Sequence, residues 1–275
     1  MAKKAAKPEP KKARKAPAPD LAPLHVHLYD VSGKVAGTVE LPPVFAQEIR
    51  TDLIRRAVTA FAANRRQPYG AAPRAGMRHS VRWAGKGQGV SRVPRIRGTM
   101  IGAQAPGTVG GRAAHPPVVD RIWAKKVNVK ERRLARGAAL AAIHDPRLVS
   151  ARGHRFAAGT TVPVVVQDAL EEIETASDAI EFLERIGVYD DVLRSKDGRH
   201  VRAGRGKMRA RRYRQPRGPL LVVRNAAKAR QGFGNLAGVE IVTPNGLNAE
   251  VLAPGGDPGR LTIFSAGALE ALRGW

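Results

Sequence analysis

The 275-residue sequence has no cysteine, so disulfides and thiolate metal sites are excluded and secretion gains no support. Aromatic residues make up only 5% of the chain, which disfavours a binding mode built on many stacked single-stranded bases. No apolar run approaches the roughly 20 residues of a membrane-spanning helix. The chain begins Met1-Ala2-Lys3-Lys4 and lacks the apolar segment of a signal peptide, so a cytoplasmic protein is expected.

Acidic residues are also absent from a long internal stretch, between Asp52 and Asp120. The same stretch carries twelve basic residues, which are Arg55, Arg56, Arg65, Arg66, Arg74, Arg78, Arg82, Lys86, Arg92, Arg95, Arg97 and Arg112. Over the whole chain 48 Lys and Arg face 23 Asp and Glu, which gives a net charge of +25. We therefore expect a dense polyanion, above all nucleic acid, as the partner. Anionic lipid also attracts basic segments, but none here has the apolar face that interfacial helices need, so no membrane association is predicted.

The pattern along the chain predicts four segments. Residues 1–23 form a Lys/Ala/Pro tail that is expected to be disordered when free. Residues 24–64 and 120–275 are expected to form a globular domain. Residues 65–119 are rich in Gly and Pro and show no apolar periodicity, so they are predicted to leave this domain as an extended basic arm. Residues 194–217 form a second basic segment within the globular part.

Strand and helix patterns alternate in the globular segments. Alternation over His25–Tyr29 and Val35–Leu41 predicts a hairpin, and helical spacing from Pro43 predicts one helix that ends near Asn64. The later expected elements are a helix over 129–143, a strand over 162–166, helices within 168–186, a strand over 220–223, a helix over 225–230, strands over 238–242 and 261–264, and a helix over 265–272 capped by Ser265. This order predicts an α/β fold with a mainly parallel sheet, helices on both faces and Rossmann-like topology.

The residues from Asp168 to Ile186 form the one acidic region of the chain. Its carboxylates Glu171, Glu172 and Glu174 could supply an acid/base pair. A solvated helix face, or a face that meets a basic partner, is the favoured interpretation.

Several patterns that resemble cofactor or metal sites lack the context those sites need. Gly85–Gly89 neither follows a predicted strand nor opens a helix, so a dinucleotide loop is disfavoured. Gly204–Lys207 resembles a phosphate-binding loop, but Met208 stands where Ser or Thr must hold magnesium. His25 and His27 have neither cysteine nor a carboxylate pair nearby. No catalytic residue, cofactor or metal is therefore predicted.

Two features point to RNA more specifically. The second basic segment interleaves arginines with glycines and Tyr213, and arginine binds phosphate with two parallel hydrogen bonds and stacks on bases. RNA contact is favoured there over a basic linker. Trp83 lies in the arm without apolar neighbours, and stacking on a base is favoured over packing against protein or arginine side chains.

Several motifs, in order, resemble one protein family. They are Trp83-Ala-Gly-Lys-Gly-Gln-Gly, Ser91-Arg-Val-Pro-Arg-Ile-Arg-Gly98, Gly110-Gly-Arg-Ala-Ala-His-Pro-Pro117, Gly206-Lys-Met-Arg-Ala-Arg-Arg-Tyr213, Leu247-Asn-Ala-Glu-Val-Leu-Ala-Pro-Gly255 and Gly259-Arg-Leu-Thr-Ile263. They resemble the ribosomal protein four family of the large subunit, in its archaeal and eukaryotic form, from about Leu24 to Leu272. One departure is local: many relatives have Gly-Thr-Gly-Arg after the tryptophan, whereas this chain has Ala84-Gly85-Lys86-Gly87. The cation there is a lysine, which cannot make a planar two-pronged contact.

The resemblance implies a structural, non-enzymatic protein of the large ribosomal subunit, with the arm threaded through ribosomal RNA and its tip, Trp83 to Arg97, at the wall of the nascent-chain tunnel. The partners implied are large-subunit ribosomal RNA, neighbouring ribosomal proteins and the nascent polypeptide. The RNA-contacting residues predicted are Arg74, Arg78, Arg82, Trp83, Lys86, Arg92, Arg95, Arg97, Arg112, Lys125, Lys126, Arg132, Arg133, Arg205, Lys207, Arg209, Arg211, Arg212 and Arg214. The tunnel-lining residues predicted are Trp83, Lys86, Gln88, Arg92 and Arg95. Two alternatives stay open: an RNA-modifying enzyme on an α/β fold, and a DNA-compacting protein.

Overall fold

The structure is a computed structural model that describes residues 22–275. The basic tail predicted over residues 1–23 lies outside the described residues, apart from Ala22 and Pro23. The chain divides into two compact units. One comprises the described residues up to Phe61 together with Val127–Trp275, and the other is Ala62–Lys126.

The helices and strands follow one another along both units. In chain order they are β1 (His25–Tyr29), β2 (Val35–Glu40), α1 (Thr51–Asn64), β3 (Val81–Arg82), β4 (Arg95–Ile96), α2 (Val129–His144), α3 (Pro146–Ala151), β5 (Val164–Val166), α4 (Ala176–Ile186), α5 (Tyr189–Asp197), β6 (His200–Val201), β7 (Tyr213–Arg214), β8 (Leu220–Val222), α6 (Ala226–Phe233), β9 (Glu240–Val242), α7 (Ala249–Leu252), β10 (Thr262–Ser265) and α8 (Ala266–Ala271). Short 3-10 helices lie at Pro43–Ala46, Asp168–Glu172, Arg205–Met208, Pro244–Gly246 and Pro254–Gly256.

Six strands form one mixed sheet in the order β2-β1-β5-β10-β8-β9. The strands from β1 to β9 in this order pair in parallel, and only the edge strand β2 pairs antiparallel, with β1. The α/β class predicted from the sequence is confirmed. The last strand along the chain, β10, lies centrally between β5 and β8.

Buried side chains lie on both faces of the sheet because successive residues of a strand point to opposite sides. Val165 joins a cluster with residues of α1, α2, α7 and α8, whereas Val164 and Val166 join a second cluster with residues of α4, α5 and α6. The central strands are accordingly continuous runs of apolar residues, as expected for parallel strands covered on both faces. Neither cluster contains a residue of the unit 62–126.

The single helix predicted from Pro43 to Asn64 is wrong at its start. A 3-10 helix ends at Ala46, Gln47 is extended at φ −68° and ψ 153°, and α1 begins only at Thr51. Val44 and Phe45 of the 3-10 helix are buried, as the apolar residues of one continuous helix would also be. Their spacing therefore does not reveal the break. The break brings the side chain of Gln47 against α2 at Gly137, where no side chain would fit.

Three short helices, α3, α5 and α7, are not predicted by the sequence pattern. They are six, nine and four residues long, so none has a long apolar repeat. α5 begins with Asp190 and Asp191 and carries Arg194 and Lys196 in its last turn, which suits the helix dipole. The second basic segment therefore starts inside a helix and not in a loop. Both basic segments also contain short two-stranded sheets, β3–β4 and β6–β7.

Candidate nucleic-acid interface

The unit 62–126 is built from two limbs that lie side by side. Hydrogen bonds join them at three places: Lys125 N–H donates to the side-chain Oδ1 of Asn64 at 2.8 Å, Ala71 N–H to the Pro117 carbonyl at 3.0 Å, and Arg97 N–H to the Ser80 carbonyl at 3.4 Å. Further along, β3 and β4 pair antiparallel, with Val81 opposite Ile96 and Arg82 opposite Arg95. The limbs therefore contact each other near their base and again at the β3–β4 hairpin, but in two different registers, because the second limb carries additional residues between these contacts. The second limb also pairs with itself, with Arg95 opposite Gly102.

At Gly76 the main chains of the two limbs lie against each other. A Cβ atom on Gly76 would lie 2.5 Å from the backbone nitrogen of Arg112, and the φ angle of Gly76 is +75°. Only glycine combines this conformation with so close an approach. At this position, glycine allows the two main chains to run in direct contact, which keeps the unit thin.

The hairpin end of this unit brings some of the predicted tip residues together. Trp83, Gln88 and Arg95 line one hollow of about 790 Å³ with Arg97 and Met100. Trp83 is 64% exposed there. The predicted tip residues Lys86 and Arg92 are exposed but lie outside the lining of this hollow.

Arg95 is the most constrained of the predicted RNA contacts. Its guanidinium donates to the Met100 carbonyl and, at 3.1 Å, to Ser91 Oγ. It is half-buried, and its Nε has no partner among the described residues. These bonds indicate that Arg95 also holds the hairpin loop in shape.

A stacked arrangement near the base of this unit is not predicted by the sequence. The guanidinium groups of Arg66 and Arg121 lie 4.1 Å and 4.5 Å from the centroid of the Trp123 ring. Cation–π contacts of this kind fix a flexible arginine at little cost. A sequence signal exists, since Trp123 lies between basic residues, but it does not say which arginines stack.

The second basic segment forms a loop closed by β6 and β7, in which His200 pairs with Arg214 and Val201 with Tyr213. Arg202 turns inward: its N–H donates to the Arg212 carbonyl at 2.7 Å and its Nε to the Arg211 carbonyl at 3.2 Å. One arginine therefore shapes the loop from inside, and the predicted RNA-binding cations of the loop stay on its outside.

A buried ionic group anchors this loop to α5. Asp191 is fully buried and accepts hydrogen bonds from His154 Nδ1 at 2.9 Å and Arg194 Nε at 2.8 Å. Arg194 in turn donates to the Arg217 carbonyl at 2.7 Å, and Ser195 Oγ donates to the Pro216 carbonyl at 2.7 Å. These bonds hold the end of the loop, at Pro216 and Arg217, against α5.

The pKa values of this buried group follow from its surroundings. Burial lowers the pKa of His154 below its usual 6.5, although the hydrogen bond to Asp191 opposes this change. Burial raises the pKa of Asp191, but the hydrogen bonds from His154 and Arg194 outweigh it, so that this pKa lies below its usual value. The carboxylate is therefore ionised and the imidazole neutral at pH 7.

The predicted RNA contacts share two properties. All of them are exposed except the half-buried Arg95. Within residues 22–275, none forms an ion pair with a carboxylate, whereas arginines elsewhere, such as Arg50, Arg185 and Arg260, do. Arg132 and Arg133 lie on the exposed side of α2, whose other side is buried. Exposed cations without carboxylate partners are what a phosphate-binding surface requires.

Carboxylates at the carboxyl ends of the parallel strands accept hydrogen bonds from within the protein. Glu171 accepts hydrogen bonds from Asn225 N–H at 2.9 Å and Ser265 Oγ at 2.7 Å, and Asp168 accepts one from Gly267 N–H at 2.7 Å. Asn225 and Ser265 are the N-cap residues of α6 and α8. Doubly wound enzymes bind anionic cofactors at this edge, so its negative charge disfavours the enzyme alternative. Glu171 is a structural residue here, and neither the acid/base role nor the solvated helix face applies to it.

Metal-ligand clusters and membrane-spanning helices are two further features that bear on function. Residues 22–275 hold no group of three or more His, Asp or Glu side chains suited to a metal ion. Over the same range, no helix has the length and apolar character needed to cross a membrane.

Comparison with known proteins adds a family relationship to this geometry. Residues 39–275 match the sequence model of the Ribosomal protein L4/L1 family. The chain is 46% identical to the large ribosomal subunit protein uL4 of Thermoplasma acidophilum over 248 residues, which covers 90% of this chain and 97% of the relative. It is 47% identical to the protein of the same name from Methanothrix thermoacetophila over 253 residues, covering 90% and 98%. The corresponding protein of Halobacterium salinarum is 43% identical over 247 residues, with the same coverage.

Proposed function

Since this chain belongs to the ribosomal protein L4/L1 family, we propose that it is a structural constituent of the large ribosomal subunit that binds and organises large-subunit ribosomal RNA. Its role is structural and not catalytic. Its place of action is the ribosome in the cytoplasm, and its partners are ribosomal RNA and neighbouring ribosomal proteins. The observation that carries the RNA-binding role is the set of exposed cations, on two separate hairpin loops, that have no carboxylate partner within residues 22–275.

The mechanism is charge neutralisation. Each cation that meets a phosphate releases condensed counterions, and this release drives binding. Loops rich in glycine, which has no side chain, allow the backbone and these cations to come close to RNA strands from several directions. The protein thereby stabilises the packing of RNA helices that would otherwise repel one another.

The unit 62–126 serves in this proposal as the RNA-penetrating arm, of which residues 65–119 are the core. Its two thin limbs, which lie side by side, suit insertion between RNA helices. Its hairpin end, with Trp83, Lys86, Gln88, Arg92 and Arg95, lines the tunnel through which the nascent polypeptide leaves. Trp83 stacks on an unpaired base or on the passing chain, since its ring is largely exposed.

The globular part, which corresponds to residues 24–64 and 120–275, lies at the surface of the subunit in this proposal. Its layers of helix, sheet and helix are Rossmann-like. The likeness is limited to the layers, because the usual doubly wound order has the first strand near the centre, whereas here β10 is central. Residues 194–217 add the second RNA-binding segment to this part.

The direct test is assembly. An epitope-tagged copy of the chain is expressed in a related archaeon, and large subunits are isolated on gradients after a high-salt wash. We expect the tagged chain to remain with the large subunit. Purified protein is then offered large-subunit ribosomal RNA and duplex DNA at matched salt, and a preference for RNA is expected. Loss of the chain from washed subunits together with equal affinity for duplex DNA would refute the proposal and favour the DNA-compacting alternative.

A further inference from the structure

A basic surface lies where the ends of the second basic segment meet α3 and residues 254–258, two regions that the sequence does not single out. A cleft of about 860 Å³ is bounded by α3, the end of α5, the returning strand of the loop and residues 254–258. Four arginines line it: Arg152, Arg194, Arg214 and Arg217. The one carboxylate among its lining residues is Asp257. Arg214 is one of the individual RNA contacts predicted from the sequence, and Arg194 and Arg217 are the end residues of the predicted segment 194–217. Arg152 lies outside both predictions.

Arg152 is the most informative residue of this cleft. Its guanidinium donates to the main-chain carbonyls of Asp257 and, at 2.7 Å, of Pro254. It is fixed in place by neutral groups and forms no ion pair within residues 22–275. Burial and then the charge of Arg260 lower the pKa of Arg152 to about 10, so that it still carries its charge at pH 7.

The carboxylates near the cleft compensate only part of this positive charge. Arg194 is paired with the buried Asp191 beneath the cleft, while Asp257 is exposed and pairs with Arg55. Arg217 pairs with Glu240 at 3.4 Å, but its side chain is 59% exposed, so this pair is weak. An anion in the cleft would relieve the repulsion among the arginines that face it.

The chemistry of the cleft suits a phosphodiester. Arginine forms parallel hydrogen bonds to phosphate oxygens, and several arginines spread over three elements match the repeating charge of a backbone better than a single ion. The cleft also continues directly from Arg214, on the outside of the second basic loop. We propose that this cleft binds the phosphate backbone of large-subunit ribosomal RNA and extends the RNA interface from the loop to α3. The proposal rests on the proposed function above.

The test compares single charge removals at matched positions. Arg152→Gln and Arg217→Gln act in the cleft, and Arg230→Gln removes an exposed arginine from α6, outside every predicted contact. Filter binding to a full-length large-subunit RNA transcript is measured over a salt series. Each cleft variant should bind more weakly, and its slope of log K against log salt should be smaller by about 0.7–0.9 for each phosphate that the variant no longer neutralises. The control should keep the wild-type slope.

The outcomes separate the two proposals. If wild type binds the transcript and the cleft variants match the control in affinity and slope, the cleft proposal is refuted alone. If wild type itself shows no preference for the transcript, the proposed function fails. Arg217 is exposed and its replacement leaves the core intact, so Arg217→Gln still decides the matter if Arg152→Gln does not fold.

Free phosphate is the competing source of the same chemistry. Thermal unfolding is measured with inorganic phosphate and with chloride at equal ionic strength. For an RNA site, we expect phosphate to raise the melting temperature little, while the transcript raises that of wild type more than that of Arg217→Gln. A shift by inorganic phosphate that Arg217→Gln abolishes, with unchanged affinity of that variant for the transcript, would make the cleft a small-anion site and overturn the RNA assignment.

Discussion

Removing the outer part of the unit 62–126 should separate folding from RNA binding. Deleting Gly76–Gly111 joins Ala75 to Arg112, and the two limbs already touch at this point, since a Cβ on Gly76 would lie 2.5 Å from the Arg112 nitrogen. The junction therefore needs little rearrangement. The deleted residues include none of those that form the two core clusters. We expect the shortened protein to fold and to unfold at the wild-type temperature.

The effect on RNA binding follows from the charges removed. The deletion takes away six cations, Arg78, Arg82, Lys86, Arg92, Arg95 and Arg97, and no carboxylate. If each meets one phosphate, the slope of log K against log salt should fall in magnitude by about 4–5. Wild type should also lose roughly a thousandfold more affinity between 50 and 200 mM salt than the shortened protein does.

The assay combines circular dichroism melting with filter binding to the large-subunit RNA transcript. A matched control removes no charge: Gly107→Ser changes a residue of the deleted stretch at an open position without a positive φ angle and keeps all six cations. Assembly is followed by gradient sedimentation of subunits from cells that carry the deletion. A shortened protein with the wild-type salt slope and normal assembly would refute the reasoning, because the arm would then bind no phosphates.

Three further changes probe single features. Trp83→Ala should weaken RNA binding by about 1–3 kcal/mol in filter binding and leave the melting temperature unchanged, because the ring is exposed; unaltered affinity would exclude stacking. Asp191→Asn should lower the free energy of unfolding in urea by about 3–5 kcal/mol, because it leaves Arg194 without its buried partner; a decrease under 1 kcal/mol would contradict this. The lowered pKa of His154 means that stability is full above its usual 6.5 and declines as pH falls below that value. His154→Gln should flatten this decline below pH 6.5, and an unchanged decline would show that another group causes it.

The long, strongly patterned elements are predicted well from the sequence. The helix expected over 129–143 appears as α2, Val129–His144, and the cap at Ser265 is present at α8. These predictions succeed because local patterns alone decide them. The break at Gln47 escapes prediction because it depends on packing against Gly137, a contact across about ninety residues of chain.

The candidate interface is only partly accessible from sequence. Charge and glycine content identify both basic segments, because these are properties of a continuous stretch. The anchor of the second segment is not identified in this way, since His154, Asp191 and Arg194 meet only in the folded chain. The arginine-lined cleft is hidden for the same reason: its walls come from four separate parts of the sequence. The prediction for Glu171 is likewise wrong, because its partners follow strands far along the chain.

The paired parts of the unit 62–126 also restrict how its length can evolve. Ala71 bonds to Pro117 near the base and Arg82 lies opposite Arg95 in the hairpin, but the second limb is longer than the first between these two pairings. An inserted residue inside the β3–β4 pairing would shift the counterparts there and turn its side chains to the other side. Length changes should therefore arise in the longer part of the second limb, or at the turn between β3 and β4, where the glycines have open space around them.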